Sequence, residues 1–176
     1  DWHRGVVFQS STLYPWMTVK DNVEFGPKMR GLSRNEIKEI REYFLEEVNL
    51  DGFGDKSTFE LSGGMKQRVA LARVLANNPQ VILMDEPFGA LDALTRSKMQ
   101  KWILSIQEKL NKTILFITHD IEEAITLADR VIVLNGAPSR ITKELKIELS
   151  YPRSKTDSKF IEYKEELLER LSDTEF

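Results

Sequence analysis

Gly5-Val6-Val7-Phe8 is a short apolar run of strand type, and the residues after it lose any clear period. Positions 9–32 carry Pro15, Gly26, Pro27 and Gly31, which predicts loop and short helix. Ser33 with Glu36 has the spacing of a capping box, and Ile37, Ile40, Phe44 and Val48 follow at helical spacing, so 34–48 reads as an amphipathic helix. Gly52 and Gly54 end that region. A second helix starts after Ser62 and runs through Val69-Ala70-Leu71-Ala72-Arg73-Val74-Leu75-Ala76. Asn77-Asn78-Pro79 stops it, because the residue before proline disfavours the helical region.

From Gln80 the pattern changes. Positions 81–84 are a continuous apolar run of buried-strand type, closed by Pro87. A helix near 93–110 places Met99, Ile103, Ile106 and Leu110 on one face. Positions 113–118 form a second buried strand, and Asp120 with Glu123 repeats the capping pattern before a short helix ending near Ala128. Positions 131–134 are a third strand, ended by Asn135-Gly136. Strand–helix alternation of this kind predicts an α/β fold, a parallel sheet with crossover helices. The tail holds an alternating strand over 141–149 and a charged helix near 158–171. The expected layout is a helical insert at 10–78 feeding an α/β layer at 79–135, with 136–176 as a C-terminal strand and helix.

The 176 residues suit one domain of ordinary size. Lys plus Arg is 25 against 28 Asp plus Glu, a net charge of −3, which weighs against a nucleic-acid-coating protein. The absence of Cys excludes disulfides, thiolate zinc sites and a Cys nucleophile. No apolar run approaches the ~18–20 residues of a membrane span, and no signal peptide opens the chain. It begins at Asp1 rather than Met, so the expectation is that the N-terminus of a longer protein is missing.

In open parallel sheets, function gathers at the carboxyl ends of the strands. Gln9, Asp85-Glu86 and His119 sit at such ends. A single polar residue after a strand is ordinarily a turn or cap. Adjacent carboxylates after four apolar residues are different, because they repel one another and gain nothing from packing. A divalent cation relieves that cost: Asp85 holding Mg²⁺ through water leaves Glu86 to polarise an attacking water. The second constellation is Ser62-Gly63-Gly64 at a helix start. Two glycines after an N-cap serine leave bare N–H groups at the positive end of the helix dipole, an anion site suited to phosphate. Its plainer reading is a serine cap on a flexible loop.

Taken together these residues resemble the ATP-binding subunit of an ABC transporter, over nearly the whole chain. Leu61-Ser62-Gly63-Gly64-Met65-Lys66-Gln67-Arg68 is similar to the family's signature motif, with Val69-Ala70-Leu71-Ala72-Arg73 as its usual continuation. Val81-Ile82-Leu83-Met84-Asp85-Glu86-Pro87 resembles the Walker B strand with the catalytic Glu. Gly89-Ala90-Leu91-Asp92 looks like the D-loop, Val7-Phe8-Gln9 the Q-loop, and Thr118-His119-Asp120 the switch histidine. The stretches 14–23 and 85–96 are similar to importers for nitrate, sulfonate and taurine, and Pro138-Ser139-Arg140-Ile141 resembles their Pro-Gly-Arg-Ile, with Ser139 in place of Gly.

The resemblance implies a RecA-like core, incomplete at its N-terminus: positions 1–9 end its first part, 10–78 are the helical subdomain with the signature, and 79–135 return to the core. It implies ATP and Mg²⁺, with catalytic Glu86 and His119, Asp85 and Gln9 toward Mg²⁺, and Ser62, Gly63, Gly64, Gln9 and Asp92 toward nucleotide. It also implies a head-to-tail dimer with a second ATPase subunit, a transmembrane permease subunit, an extracytoplasmic solute-binding protein reached indirectly, no nucleic acid, and a peripheral location on the cytoplasmic face of the membrane. Tyr14, Trp16, Met17 and Phe25 are candidates for the permease contact, with ordinary core packing as the alternative for each. Trp102 reads as core.

One departure is large. The Walker A pattern Gly-x-x-x-x-Gly-Lys-Ser/Thr is absent from the 176 residues. The family places it upstream of Val7-Phe8-Gln9, so this portion is expected to be inactive alone. A soluble ABC-type ATPase acting on DNA or ribosomes, and a non-catalytic remnant acting as a binding module, are the competing readings. The family also places the Walker A strand between the strands matching 113–118 and 131–134. The expectation is therefore that 131–176 rearranges or pairs between molecules, and that the chain self-associates.

Overall fold

The computed structural model describes residues 2–89, 91–110, 112–136 and 138–172, together with the backbone but not the side chains of Leu110 and Ser172. The chain divides into two compact units, Asp1–Ile117 and Thr118–Phe176.

In the first unit, among the described residues, three parallel strands pair in the order β1 (Arg4–Val7), β2 (Val81–Asp85), β3 (Thr113–Ile117). The register sets Val6 opposite Leu83 and Leu83 opposite Leu115. One face of this sheet is a dry core: Val7, Ile82 and Met84 are fully buried. The other face carries Val6, Phe8, Leu115 and Ile117, all exposed, Leu115 by 53% and Ile117 by 51%. The expectation of a second buried strand at 113–118 is thus corrected: β3 is covered on one side only.

Between β1 and β2 lies the helical subdomain, α1 (Val19–Met29), α2 (Arg34–Glu47) and α3 (Gly63–Leu75), with a single 3₁₀ turn at Thr58–Glu60. Helix α1 packs on both α2 and α3. The capping box forms as the spacing implies: Ser33 N–H donates to Glu36 Oε2 at 2.8 Å and Glu36 N–H donates to Ser33 Oγ at 3.3 Å. Helix α1 is the helical part of the loop and short helix expected over 9–32, and it runs on through Gly26 and Pro27. Thr18 caps it by accepting from Asp21 N–H. Its Gly26 lies where a Cβ would overlap the Asn77 side chain, so close packing on the end of α3 explains a glycine that punctuation alone reads as a break. Helix α4 (Ala93–Leu110) buries Met99, Trp102, Ile103 and Ile106, and Trp102 Nε1 donates to Glu47 Oε2 at 2.6 Å.

The second unit holds α5 (Ile121–Leu127), β4 (Arg130–Asn135), β5 (Arg140–Lys146) and α6 (Ser158–Ser172). Strand β4 is not a third crossover strand of the parallel sheet. It pairs antiparallel with β5, with a register shift at Val133/Leu134. A tight connection closes this hairpin, whereas a further parallel strand needs a neighbouring ladder to join. Ile125, Val133, Ile147, Phe160 and Leu167 form the unit's own core.

Candidate functional site

Asp85 closes β2 at the carboxyl end of the sheet, and Glu86 follows at φ 43°. The left-handed region costs a residue bearing Cβ of order 1–3 kcal/mol and persists where its surroundings over-determine it. Here Glu86 N–H donates to the Ile117 carbonyl on β3 at 2.9 Å. Across the end of β1, Gln9 Nε2 donates to Glu86 Oε2 at 2.9 Å. Two residues 77 positions apart are thus joined by the parallel register. The amide fixes the position of one Glu86 carboxylate oxygen.

Helix α3 starts at the Ser62 cap. Ser62 Oγ accepts from Met65 N–H at 3.3 Å, and Lys66 N–H donates to the Ser62 carbonyl at 2.9 Å. Gly63 and Gly64 form the first turn ahead of these bonds. A Cβ on Gly63 would meet no atom within 4 Å, so the approach to the first-turn amides is open. An open, amide-lined helix N-terminus fits a phosphate group. A Cβ on Gly64 would lie 3.2 Å from Leu91 Cδ2, so this glycine also allows Leu91 to close on the helix.

Gln67 and Arg73, quoted in the sequence only as part of a motif, join this helix to the segment after β1. Gln67, 1% exposed, donates from Nε2 to the Phe8 carbonyl at 3.0 Å. Arg73 donates to the Thr12 carbonyl at 2.7 Å and to Thr12 Oγ1 at 3.0 Å, and its guanidinium lies 5.1 Å from the Tyr14 ring centroid. The local sequence carries no signal for these links, because their acceptors are backbone carbonyls some sixty residues away.

Asp92 Oδ1 accepts from Thr95 N–H at 3.0 Å while Arg96 N–H donates to the Asp92 carbonyl at 2.8 Å, so Asp92 caps α4. Hydrogen bonds from Thr95 hold its carboxyl below the usual aspartate range. Ala90 of the same motif lies outside the described residues. His119 belongs to the second unit and is exposed there. It stands in a capping turn: Asp120 N–H donates to Thr118 Oγ1 at 3.0 Å, and Asp120 Oδ1 accepts from Glu123 N–H at 3.1 Å.

The segment from Tyr14 to Thr18 is held by one buried side chain. Asn22 Oδ1 accepts from Tyr14 N–H at 2.9 Å, and Asn22 Nδ2 donates to the carbonyls of Tyr14 at 3.2 Å and Thr18 at 2.9 Å. Tyr14 makes tilted ring contacts with Trp16 and Phe25, and Trp16 is left 76% exposed. Tyr14, Met17 and Phe25 are half-buried. No helix among the described residues is long and apolar enough to cross a membrane.

Residues 2–89 match the ABC transporter family model. An uncharacterized ABC transporter ATP-binding protein of Methanocaldococcus jannaschii is 51% identical over 97% of this chain and 64% of its own length. The taurine import ATP-binding protein TauB of Jannaschia sp. is 47% identical over 98% of this chain and 67% of its own, and the nitrate import ATP-binding protein NrtD of Synechocystis sp. is 47% identical over 93% and 65%. The chain therefore spans about two thirds of the length of these relatives. Among solved structures, an ATP-binding cassette in a dimeric post-hydrolysis state bound to ADP and Pi superimposes with a TM-score of 0.74 at 35% identity, over 84% of this chain and 64% of that one. CbiO1 of Clostridium perfringens, part of the cbiONQ transporter complex, gives 0.73 at 31% identity, over 84% and 58%. With the signature helix, the Asp85-Glu86 strand end and these relatives in agreement, the chain belongs to the ABC transporter ATP-binding family.

Proposed function

We propose that this chain is the C-terminal portion of an ATP-hydrolysing subunit that powers uptake of a small solute, of the nitrate, sulfonate or taurine kind, through a membrane permease. The observation that carries the reading is the Gln9–Glu86 hydrogen bond at the carboxyl ends of parallel strands, on a segment that Gln67 ties to the signature helix. Mg²⁺-bound ATP, when present, supplies the phosphoanhydride bond and the charge that makes its terminal phosphorus attackable. Asp85 and Gln9 are the residues to hold the ion, with few protein ligands, as magnesium sites commonly have. Glu86 accepts a proton from water at its carboxylate, and Gln9 orients that carboxylate. His119 contacts the terminal phosphate. The Gly63 and Gly64 amides face the nucleotide held by a second ATPase subunit in a head-to-tail dimer, and Asp92 couples the two sites across that interface.

The helical subdomain is the surface for the permease, with Trp16 as its exposed aromatic anchor. A groove of about 420 Å³ between α1, α2 and the 51–55 loop, lined by Lys20, Arg41, Leu45 and Asp55, gives a helix of the permease a place to lie. The subunit then works at the cytoplasmic face of the membrane, with a solute-binding protein on the far side.

Turnover is measured in the full-length subunit and in Glu86→Gln. The variant is expected to bind ATP, trap a closed dimer and lose at least a hundredfold in turnover. Unchanged turnover overturns the role given to Glu86. Residues 1–176 alone, without a Walker A loop, are expected to show no turnover above background. Activity of that portion, abolished by Glu86→Gln, overturns the second expectation.

A further inference from the structure

The segment between β5 and α6 aims three alternate residues at α5. Tyr151 Oη donates to the Leu127 carbonyl at 2.8 Å. Arg153 Nη1 donates to the carbonyls of Ile125 at 2.6 Å and Ala128 at 2.7 Å. Lys155 Nζ donates to Glu122 Oε2 at 2.8 Å. These bonds run from the C-terminal end of α5 to its first turn, so residues 151–155 lie as a strap along the helix.

Helix α5 needs such support. It is two turns long, and a helix of that length does not persist on propensity. Its last carbonyls have no intrahelical donor. The strap supplies donors to three of them. A guanidinium there is also favoured by the negative end of the helix dipole. Arg153 is the centre of the device. Its side chain is 1% exposed, its Nε donates to the Leu149 carbonyl at 3.1 Å, and its guanidinium lies 4.1 Å from the Tyr151 ring centroid. Its nearest carboxylate, Asp129, stands at 3.9 Å and is largely exposed, so the carbonyls of α5 are what hold the buried charge. At the other end of α5 the Asp120 cap follows His119 directly.

We propose that Arg153, with Tyr151 and Lys155, is a positioning residue for His119, acting through α5 and its capping turn. The proposal rests on the reading of His119 as the phosphate contact. Misplacing a reacting group by about 1 Å can cost a hundredfold in rate. These residues lie beyond the part of the chain that the family model matches.

The test uses the full-length subunit with His119→Ala, Arg153→Ala, Arg153→Lys, Tyr151→Phe and the double variant His119→Ala/Arg153→Ala. Arg153→Ala is expected to lower kcat roughly ten- to a hundredfold, with KM for ATP changed less than about threefold. Arg153→Lys keeps the charge but loses the fork, and recovers part of the rate. The double variant is expected to be no slower than His119→Ala. Amide exchange of Ala124 and Ala128 should quicken at least about tenfold in Arg153→Ala while the β4–β5 amides stay protected. A folded Arg153→Ala with wild-type kcat, or rate losses that multiply in the double variant, overturns the proposal. If Arg153→Ala does not fold, Arg153→Lys and Tyr151→Phe decide by the same comparison with His119→Ala. If His119→Ala keeps wild-type turnover, the reading of His119 fails on its own. The strap is then judged by amide exchange, and unchanged α5 protection removes it as well.

Discussion

Single buried side chains set the geometry of the segment that follows β1. Asn22 is fully buried and uses both ends of its amide on the Tyr14–Thr18 loop. Removing it leaves the Tyr14 N–H without its acceptor, while the Tyr14 and Thr18 carbonyls keep the Met17 and Asn22 N–H groups, and one such unpaired group costs about 1–3 kcal/mol. Asn22→Ala is therefore expected to lower stability by about 1–3 kcal/mol, read as a shift in the urea midpoint at unchanged slope. A shift below about half a kcal/mol shows that the loop re-forms without it. Gly5 makes the complementary case. A Cβ there would overlap Val74 Cγ1 and lie 3.3 Å from Pro79 Cγ, where β1 lies on the end of α3. Gly5→Ala is expected to cost about 1–3 kcal/mol by overpacking, and a melting temperature equal to wild type contradicts that packing.

At the scale of elements, short helices depend on what their ends meet. In α5 the first turn carries Glu122, which accepts from Lys155 at 2.8 Å and from Lys164 of α6 at 2.6 Å. Hydrogen bonds from these two lysines hold its carboxyl at about 2, against an ordinary value of 4.5. A depressed carboxyl stabilises the fold above its unfolded value and loses that contribution as pH falls from about 4.5 toward 2. Glu122 is about one third exposed, so solvent and salt screen the pair and the net worth is of order 1 kcal/mol. Glu122→Gln is thus expected to lower stability by about 1 kcal/mol at pH 7 and to match wild type near pH 2. Chemical denaturation at the two pH values tests this, and a difference that persists at pH 2 assigns the effect to something other than charge. Helix α4 is tied differently, through the Trp102–Glu47 hydrogen bond to the end of α2.

For the whole molecule, the first unit presents an apolar sheet face and the outer edge of β3, with no strand paired there among the described residues. Parallel strands are ordinarily covered on both faces. An unpaired edge with Leu115 and Ile117 exposed is a template for another chain. Purified residues 1–176 are expected to self-associate, with a scattering mass that rises with concentration. Leu115→Lys together with Ile117→Lys should reduce that rise. A monomer at every concentration would show that the edge is inert. In the full-length subunit the same face should be protected from exchange.

Period and punctuation were enough to place β2, β3, α2, α3, α4 and α6, because each carries its own hydrophobic stripe and its own cap or breaker. The capping pair Ser33 and Glu36 and the stop at Asn77-Asn78-Pro79 act within a few residues, so the local sequence contains their whole cause. The placement of Asp85-Glu86 at a strand end and of Ser62-Gly63-Gly64 at a helix start was legible for the same reason: a bounded apolar run and a serine cap are properties of neighbours in the chain. Three things waited for tertiary structure. The extent of helix α1 through Gly26-Pro27 is the first, because only contact with Asn77 shows why a glycine belongs inside it. Strand β4 looked like a crossover strand, because an apolar run does not encode whether its ladder partner is parallel or adjacent. The bond from Gln9 to Glu86, and the links of Gln67 and Arg73 to the segment after β1, join residues about sixty to eighty positions apart. The first exists only once the strand register has brought the ends of β1 and β2 together, the others only once α3 has packed on β1, and no pattern within any of these segments records them.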